Sequence, residues 1–325
     1  MTQTALDPAE PRLAHFPVTF FATVMGLAGL TLALHLAETR FGWGHGASTL
    51  ALWVTIADFV GVALLFALKA LRHPGAIAGE WNHPVKLAFF PAISISLMLI
   101  ATALRADFGQ AALVVWSVGA ALQAVLFLSV ISGWIGRRPF QPMHISPAWF
   151  IPAVGNVVAP VAGVSLGFVE LSWLFFATGL VFWIVLLTLV MNRLIFHDPL
   201  PGRLYPTLVI LIAPPAVGFL AWLQLNGGQL DAFARILYYA GITFAGIVAM
   251  QGPAIARLPF ALSWWALSFP IAALTIATLR YGALAGSGAH DLLGGALLAL
   301  LLAVVLGLIA RTALAATRGE ICRPE

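Results

Sequence analysis

Apolar residues fall into ten runs along this chain, each closed by a short polar or Gly/Pro-containing turn. An α-helix rises 1.5 Å per residue, so roughly 20 apolar residues carry it across ~30 Å of hydrocarbon. The runs are 17–37, 47–71, 84–104, 110–135, 147–167, 170–195, 206–225, 231–252, 259–280 and 289–314. Connections such as Arg72 to Gly75, His197 to Gly202 and Asn226 to Gly228 are too short to hold a second domain. The pattern predicts an all-α polytopic membrane protein: one ten-helix domain over 16–315, an N-terminal tail over 1–15 and a C-terminal tail over 316–325.

Prolines subdivide the ten spans. Pro17, Pro84, Pro147, Pro206 and Pro259 each open an odd-numbered span, where a missing N–H is harmless. Pro91, Pro152, Pro160, Pro214, Pro215 and Pro270 fall inside odd spans, and the even spans contain none. The first span has Gly26 and Gly29 instead, as possible bend points. Interior proline removes a backbone hydrogen bond and kinks a helix, which lipid tolerates only where protein or a wet cavity meets the freed carbonyl. The expectation is five repeated helical hairpins, with bent odd helices in an inner ring around a central pore and straight even helices outside.

Composition agrees with the lipid reading, since 61% of residues are hydrophobic and only 9% are charged. A net charge of +4 arises from Lys and Arg set singly at span ends, where they anchor to the interface, and forms no basic patch for nucleic acid. Twelve of these cations fall on the side of both termini: Arg12, Lys69, Arg72, Lys86, Arg137, Arg138, Arg193, Arg203, Arg257, Arg311, Arg318 and Arg323. Arg40, Arg105, Arg235 and Arg280 fall on the other. The excess of basic residues predicts both termini in the cytoplasm and a multi-pass location in a bacterial inner membrane. Cys322 is the single cysteine, so no intrachain disulfide is expected. Asp7 and Glu10, without a basic region, make the first residues read as a polar tail and not a signal peptide.

In that orientation all five odd spans begin at the cytoplasmic face. Helix N-termini carry partial positive charge, so five of them around one mouth attract anions, with Lys86 and Arg257 beside two of them. No Asp, Glu, Lys or Arg lies in the middle of an odd span, which favours passive conduction over proton coupling. Thr23, Ser94, Ser96, Asn156, Thr207 and Ser268 are the candidate polar linings. Asp58 lies near the centre of an even span and reads as internally paired or facing a wet crevice. Phe20, Phe21, Phe89, Phe90, Phe150, Phe219 and Phe260 read as packing residues. Phe269 differs, because Ala266 and Ala273 leave open space a turn to either side and Pro270 follows it directly. A ring at such a kink can plug a narrow pore by excluding water.

The segments His83–Pro91 (HPVKLAFFP), Pro147–Asn156 (PAWFIPAVGN), Ser263–Pro270 (SWWALSFP) and His15–Phe21 (HFPVTFF) resemble the tellurite-resistance/dicarboxylate transporter family. That family includes TehA-type bacterial proteins, fungal malate and sulfite transporters and the slow-type anion channels of plant guard cells. The resemblance runs from His15 to about Leu314. It implies a homotrimer of ten-helix protomers, each with its own pore lined by odd helices. It also implies occlusion by a phenylalanine on the ninth helix, whose motif position Phe269 matches, and passage of chloride- or nitrate-like anions. The long cytosolic tails of the plant channels have no counterpart, so phosphorylation-driven activation is not carried over. The alternative is a secondary transporter of C4-dicarboxylates, sulfite or tellurite-type oxyanions. An enzyme or metal-dependent sensor is disfavoured, because no His-x-x-x-His or Glu-x-x-His spacing occurs on a span; no cofactor and no metal is expected.

Overall fold

The computed structural model describes residues 12–136 and 140–323. The tail residues 1–11, and Arg137 and Arg138 of the basic count, lie outside the described residues. The helices are α1 (Phe21–Phe41), α2 (Gly46–Arg72), α3 (Pro74–Asn82), α4 (Ala92–Leu104), α5 (Gly109–Ile135) and α6 (Phe150–Gly163). They continue with α7 (Val169–Phe196), α8 (Ala213–Leu225), α9 (Ala232–Ala256), α10 (Ser268–Ala285) and α11 (Gly288–Thr317). Among the described residues nine helices are long and apolar enough to cross a membrane, with Pro147–Gly163 a shorter apolar one. That fifth span stops short of the expected 167 because the chain turns after Gly163 through Gly167, which has φ +93°. All but one residue of α6 are buried, so it meets protein along its length and has no lipid thickness to match.

Every odd span begins as a 3-10 helix and continues as an α-helix. The 3-10 stretches are Val18–Phe20, Lys86–Phe89, Pro147–Trp149, Tyr205–Ile212 and Leu262–Leu267. The interior prolines mark the switch between the two. Pro91 caps α4, Pro152 and Pro270 are third in α6 and α10, and Pro214 and Pro215 are second and third in α8. A first-turn residue has no α-type partner for its N–H, so proline there ends the tighter winding at little cost. Only Pro160 interrupts the middle of a helix. Gly26 and Gly29 do not break α1, which runs unbroken to Phe41.

The α segments of the odd spans contact one another in the order α1, α4, α6, α8, α10 and back to α1. Their 3-10 openings touch in the same closed order, so the five run parallel with their N-termini at one level. In the most apolar stretches of α1, α4, α8 and α10, with their openings, 67–78% of residues are buried, against 17–39% in the even spans. Leu64, Leu128, Ile184, Met250 and Leu306 are exposed on those outer helices, an apolar surface suited to lipid.

Four expectations change. The stretch after Arg72 is no simple loop: α3 starts at Pro74. The eighth span runs four residues past 252 to Ala256 and so contains Pro253, exposed in its last turn, where solvent can meet the freed carbonyl. Lys69 and Arg193 are buried and are no interfacial anchors. Lys69 Nζ lies 3.3 Å from Glu80 Oε1 and donates to the Phe16 carbonyl at 2.9 Å, while the Val18 N–H donates to Glu80 Oε2 at 3.2 Å. Arg193 donates to the Asp198 carbonyl.

Candidate functional site

The five 3-10/α junctions surround one narrow cavity. Ala22 and Met25 come from α1, Phe89, Ala92 and Ile95 from the third span, and Ile151 and Val154 from α6. Ile210 and Ala213 come from the seventh span, and Trp265, Ala266, Phe269 and Pro270 from the ninth. No lining residue is titratable. Several of these side chains sit next to an interior proline: Ala92 follows Pro91, Ile151 precedes Pro152, Ala213 precedes Pro214 and Phe269 precedes Pro270. The cavity therefore sits where each tight 3-10 opening widens into an α-helix.

Close contact between α1 and α10 sets the position of Phe269. A Cβ on Gly26 would lie 2.2 Å from Ser268 Oγ, and one on Gly29 would lie 2.7 Å from Ala272 Cβ and 3.5 Å from Phe269 Cδ2. The ring thus rests beside bare helix backbone. Trp265 is held from outside, its Nε1 donating to Thr312 Oγ1 of α11 at 2.9 Å.

Of the residues singled out from sequence, Phe269, Ala266 and Pro270 line the cavity. Ala273 is buried a turn further along α10, outside the lining. Pro91, Pro152, Pro214 and Pro215 shape the junctions without lining them, and Asn156 and Pro160 lie deeper in α6. Gly26 serves helix approach and not lining or bending. Lys86 starts the opening stretch that ends at Phe89, whereas Arg257 is exposed at the C-terminus of α9.

None of the expected polar linings reaches the cavity. Thr23, Ser94, Ser96, Thr207 and Ser268 bond to backbone carbonyls of their own turns, as the Asn156 amide does to Pro152. In an apolar setting a short hydroxyl satisfies itself on the preceding turn. Asp58 accepts from Thr23 Oγ1 at 2.6 Å, an internal pairing. Gln123 of α5, buried, lies 2.7 Å from Ser94 Oγ and donates to the Pro152 carbonyl at 2.9 Å, bracing two junctions from outside. At the opposite end Arg105 donates to Ser165 Oγ at 2.8 Å and to the Val161 carbonyl. Burial pulls its pKa below the ordinary value, yet a guanidinium stays charged.

Phe89 and Trp265 are the aromatics that sequence reasoning missed, along with Met25 and the Ile side chains. Of these only Ile151 stands next to an interior proline, Pro152, so for the rest no local signal was available. The other phenylalanines pack as expected: Phe20 stacks on Phe16 at 4.4 Å, Phe21 and Phe90 meet Phe66, and Phe219 lies against Tyr238.

Residues 15–313, through all five junctions, match the SLAC1 family, described as voltage-dependent anion channel. The chain belongs to the SLAC1 family. It is 25% identical over 283 residues to the S-type anion channel SLAH2 of Arabidopsis thaliana, covering 85% of this chain and 54% of the plant protein. It is 28% identical over 262 residues to the tellurite resistance protein TehA homolog of Haemophilus influenzae, covering 79% of each. The S-type anion channel SLAH3 of Arabidopsis thaliana is 27% identical over 314 residues, 94% of this chain and 49% of that protein. The chain thus spans about half the length of these plant relatives. This SLAC1-family chain is a multi-span membrane protein whose relatives are anion channels or transporters.

Proposed function

We propose that the chain is a channel for small, chloride- or nitrate-like anions, and that its path runs through the cavity at the five junctions with Phe269 as the gate. The observation that carries this reading is that all five odd spans, and no even span, contribute to the lining. The five odd spans form an inner ring, each paired with the even helix that follows it. Their dipoles all point their positive ends toward the 3-10 openings, which favours an anion over a cation. The wall itself is hydrocarbon and offers a passing ion nothing to replace its water. Such a constriction closes by dewetting, and bulky rings narrow it further. Phe269 and Phe89 face the same cavity from different spans, so both contribute to closure. The absence of a titratable group in the lining fits passive flow better than proton-coupled carriage.

One chain completes the cavity, so in the homotrimer implied by the resemblance each protomer holds its own path. The basic residues support both termini in the cytoplasm of a bacterial inner membrane, with the 3-10 openings facing inward. Chloride flux into liposomes, compared for wild type and Phe269→Ala, tests the gate. Each ~1.4 kcal/mol taken off the barrier raises flux about tenfold, and an increase of at least that size is expected. Unchanged flux in a folded, inserted variant removes Phe269 from the gate. Saturable, proton-dependent dicarboxylate uptake with no chloride flux replaces the channel by the carrier.

A further inference from the structure

Away from the cavity, at the end of α1 opposite the 3-10 openings, three side chains of metal-ligating type converge. His35 and Glu38 are three residues apart on α1 and share a face. Gly42, with φ +72°, turns the chain back so that His45, at the N-terminus of α2, comes over Glu38. One ligand atom from each residue lies within 4.8 Å of the others. The arrangement has three features of a built site. Glu38 is only 2% exposed, and its Oε2 makes no hydrogen bond, with His45 Nδ1 3.4 Å away. Its other oxygen is fixed by the Ser48 N–H at 3.0 Å, a hydrogen bond that orients the carboxylate toward a metal. The nearby cation Arg40 is engaged elsewhere, in a two-point pair with Asp291 at 3.0 and 2.7 Å, so it is His45 and not Arg40 that faces the Glu38 carboxylate.

We infer that His35, Glu38 and His45 bind a divalent first-row transition ion of the zinc class, clamping the α1–α2 turn. Two imidazole nitrogens and one carboxylate oxygen suit such an ion and leave a fourth position for water. Bonds of about 2.1 Å in a tetrahedron set the donor atoms roughly 3.4 Å apart. His45 Nδ1 and Glu38 Oε2 are already 3.4 Å apart. Only His35 has to close in; it is exposed, and its ring centroid lies 4.8 Å from that of His45. Sequence spacing hid the set because it is split across a turn and no single helix carries two histidines.

The test is equilibrium dialysis of the full-length, tag-free protein in detergent against Zn²⁺, with bound metal counted per chain. One zinc per chain is expected in wild type, with affinity at least about tenfold weaker in His35→Ala and in His45→Ala. Co²⁺ in place of zinc gives the visible absorption of a four-coordinate site in wild type and not in either variant. Zinc raises the thermal midpoint of wild type only, by mass action on the folded state. Mg²⁺ and Ca²⁺ do not compete, since imidazole donors suit neither. Glu38→Gln also alters the contact to Ser48, so the two exposed histidines carry the test. Zinc no higher than in a detergent blank overturns the inference, and so does stoichiometric zinc retained equally by both histidine variants. Either result leaves the anion path untouched, because no residue of this set lines the cavity.

Discussion

Gly26 is the residue whose bare Cα lets α1 and α10 meet, and any side chain there strikes Ser268 before it reaches anything that can yield. Gly26→Val should destabilise by ~1–3 kcal/mol through overpacking, seen as a lower thermal midpoint in detergent. Gly246→Ala is the matched control, since no atom lies within 4 Å of its added Cβ. A midpoint unchanged by Gly26→Val would show that the two helices do not depend on this contact. At the proposed gate, Phe89→Ala should raise chloride flux on its own and raise it further together with Phe269→Ala. A Phe89 variant that conducts like wild type, alone and in the pair, returns that ring to packing. Asp231 gives a pH signature outside the spans. The Ala234 N–H, then Trp222 Nε1 and the Asn226 amide, hold its carboxylate below the usual range. A lowered folded pKa stabilises above the ordinary carboxylate value of ~3.9 and is lost as pH falls through the folded value. Asn also caps a helix but does not titrate. The stability gap between wild type and Asp231→Asn should therefore close on acidification below about pH 4. A gap constant from neutral pH to acid contradicts this.

At the scale of elements, the end of α2, the end of α3 and the chain entering α1 are joined by Lys69 and Glu80. Lys69→Met leaves a buried carboxylate unpaired and should cost ~3–5 kcal/mol, with much of this recovered in Lys69→Met/Glu80→Gln. A double variant as unstable as the single one points to lost packing and not to the charge. This staple was not legible in the sequence: a Lys near a span end reads as an anchor, and only the fold of α3 turns Glu80 back onto it. The all-helical class and nine long apolar helices were legible because lipid enforces a hydrophobic length on every exposed span, whereas the buried fifth span escapes that rule and ends early. The prolines pointed to the right places for a different reason. They mark the change from 3-10 to α winding, a change of hydrogen-bond register that residue identity does not announce. The polar linings failed because a hydroxyl in an apolar helix turns to its own backbone.

For the whole molecule, five parallel dipoles and an apolar throat combine into one expectation: selection by sign of charge and by cost of dehydration, with no specific binding residue. This scale also explains why Phe269 was singled out from the sequence and Phe89, which lines the same cavity, was not. Phe269 stood out against the small residues beside it, while Phe89 becomes visible only when five segments are closed into one ring. The direct test is voltage clamp of the Phe89→Ala/Phe269→Ala protein in asymmetric chloride with a large impermeant cation. The account predicts a current that reverses near the chloride equilibrium potential. A current that reverses at the cation potential, or silence from folded, inserted protein, contradicts an anion path through this cavity.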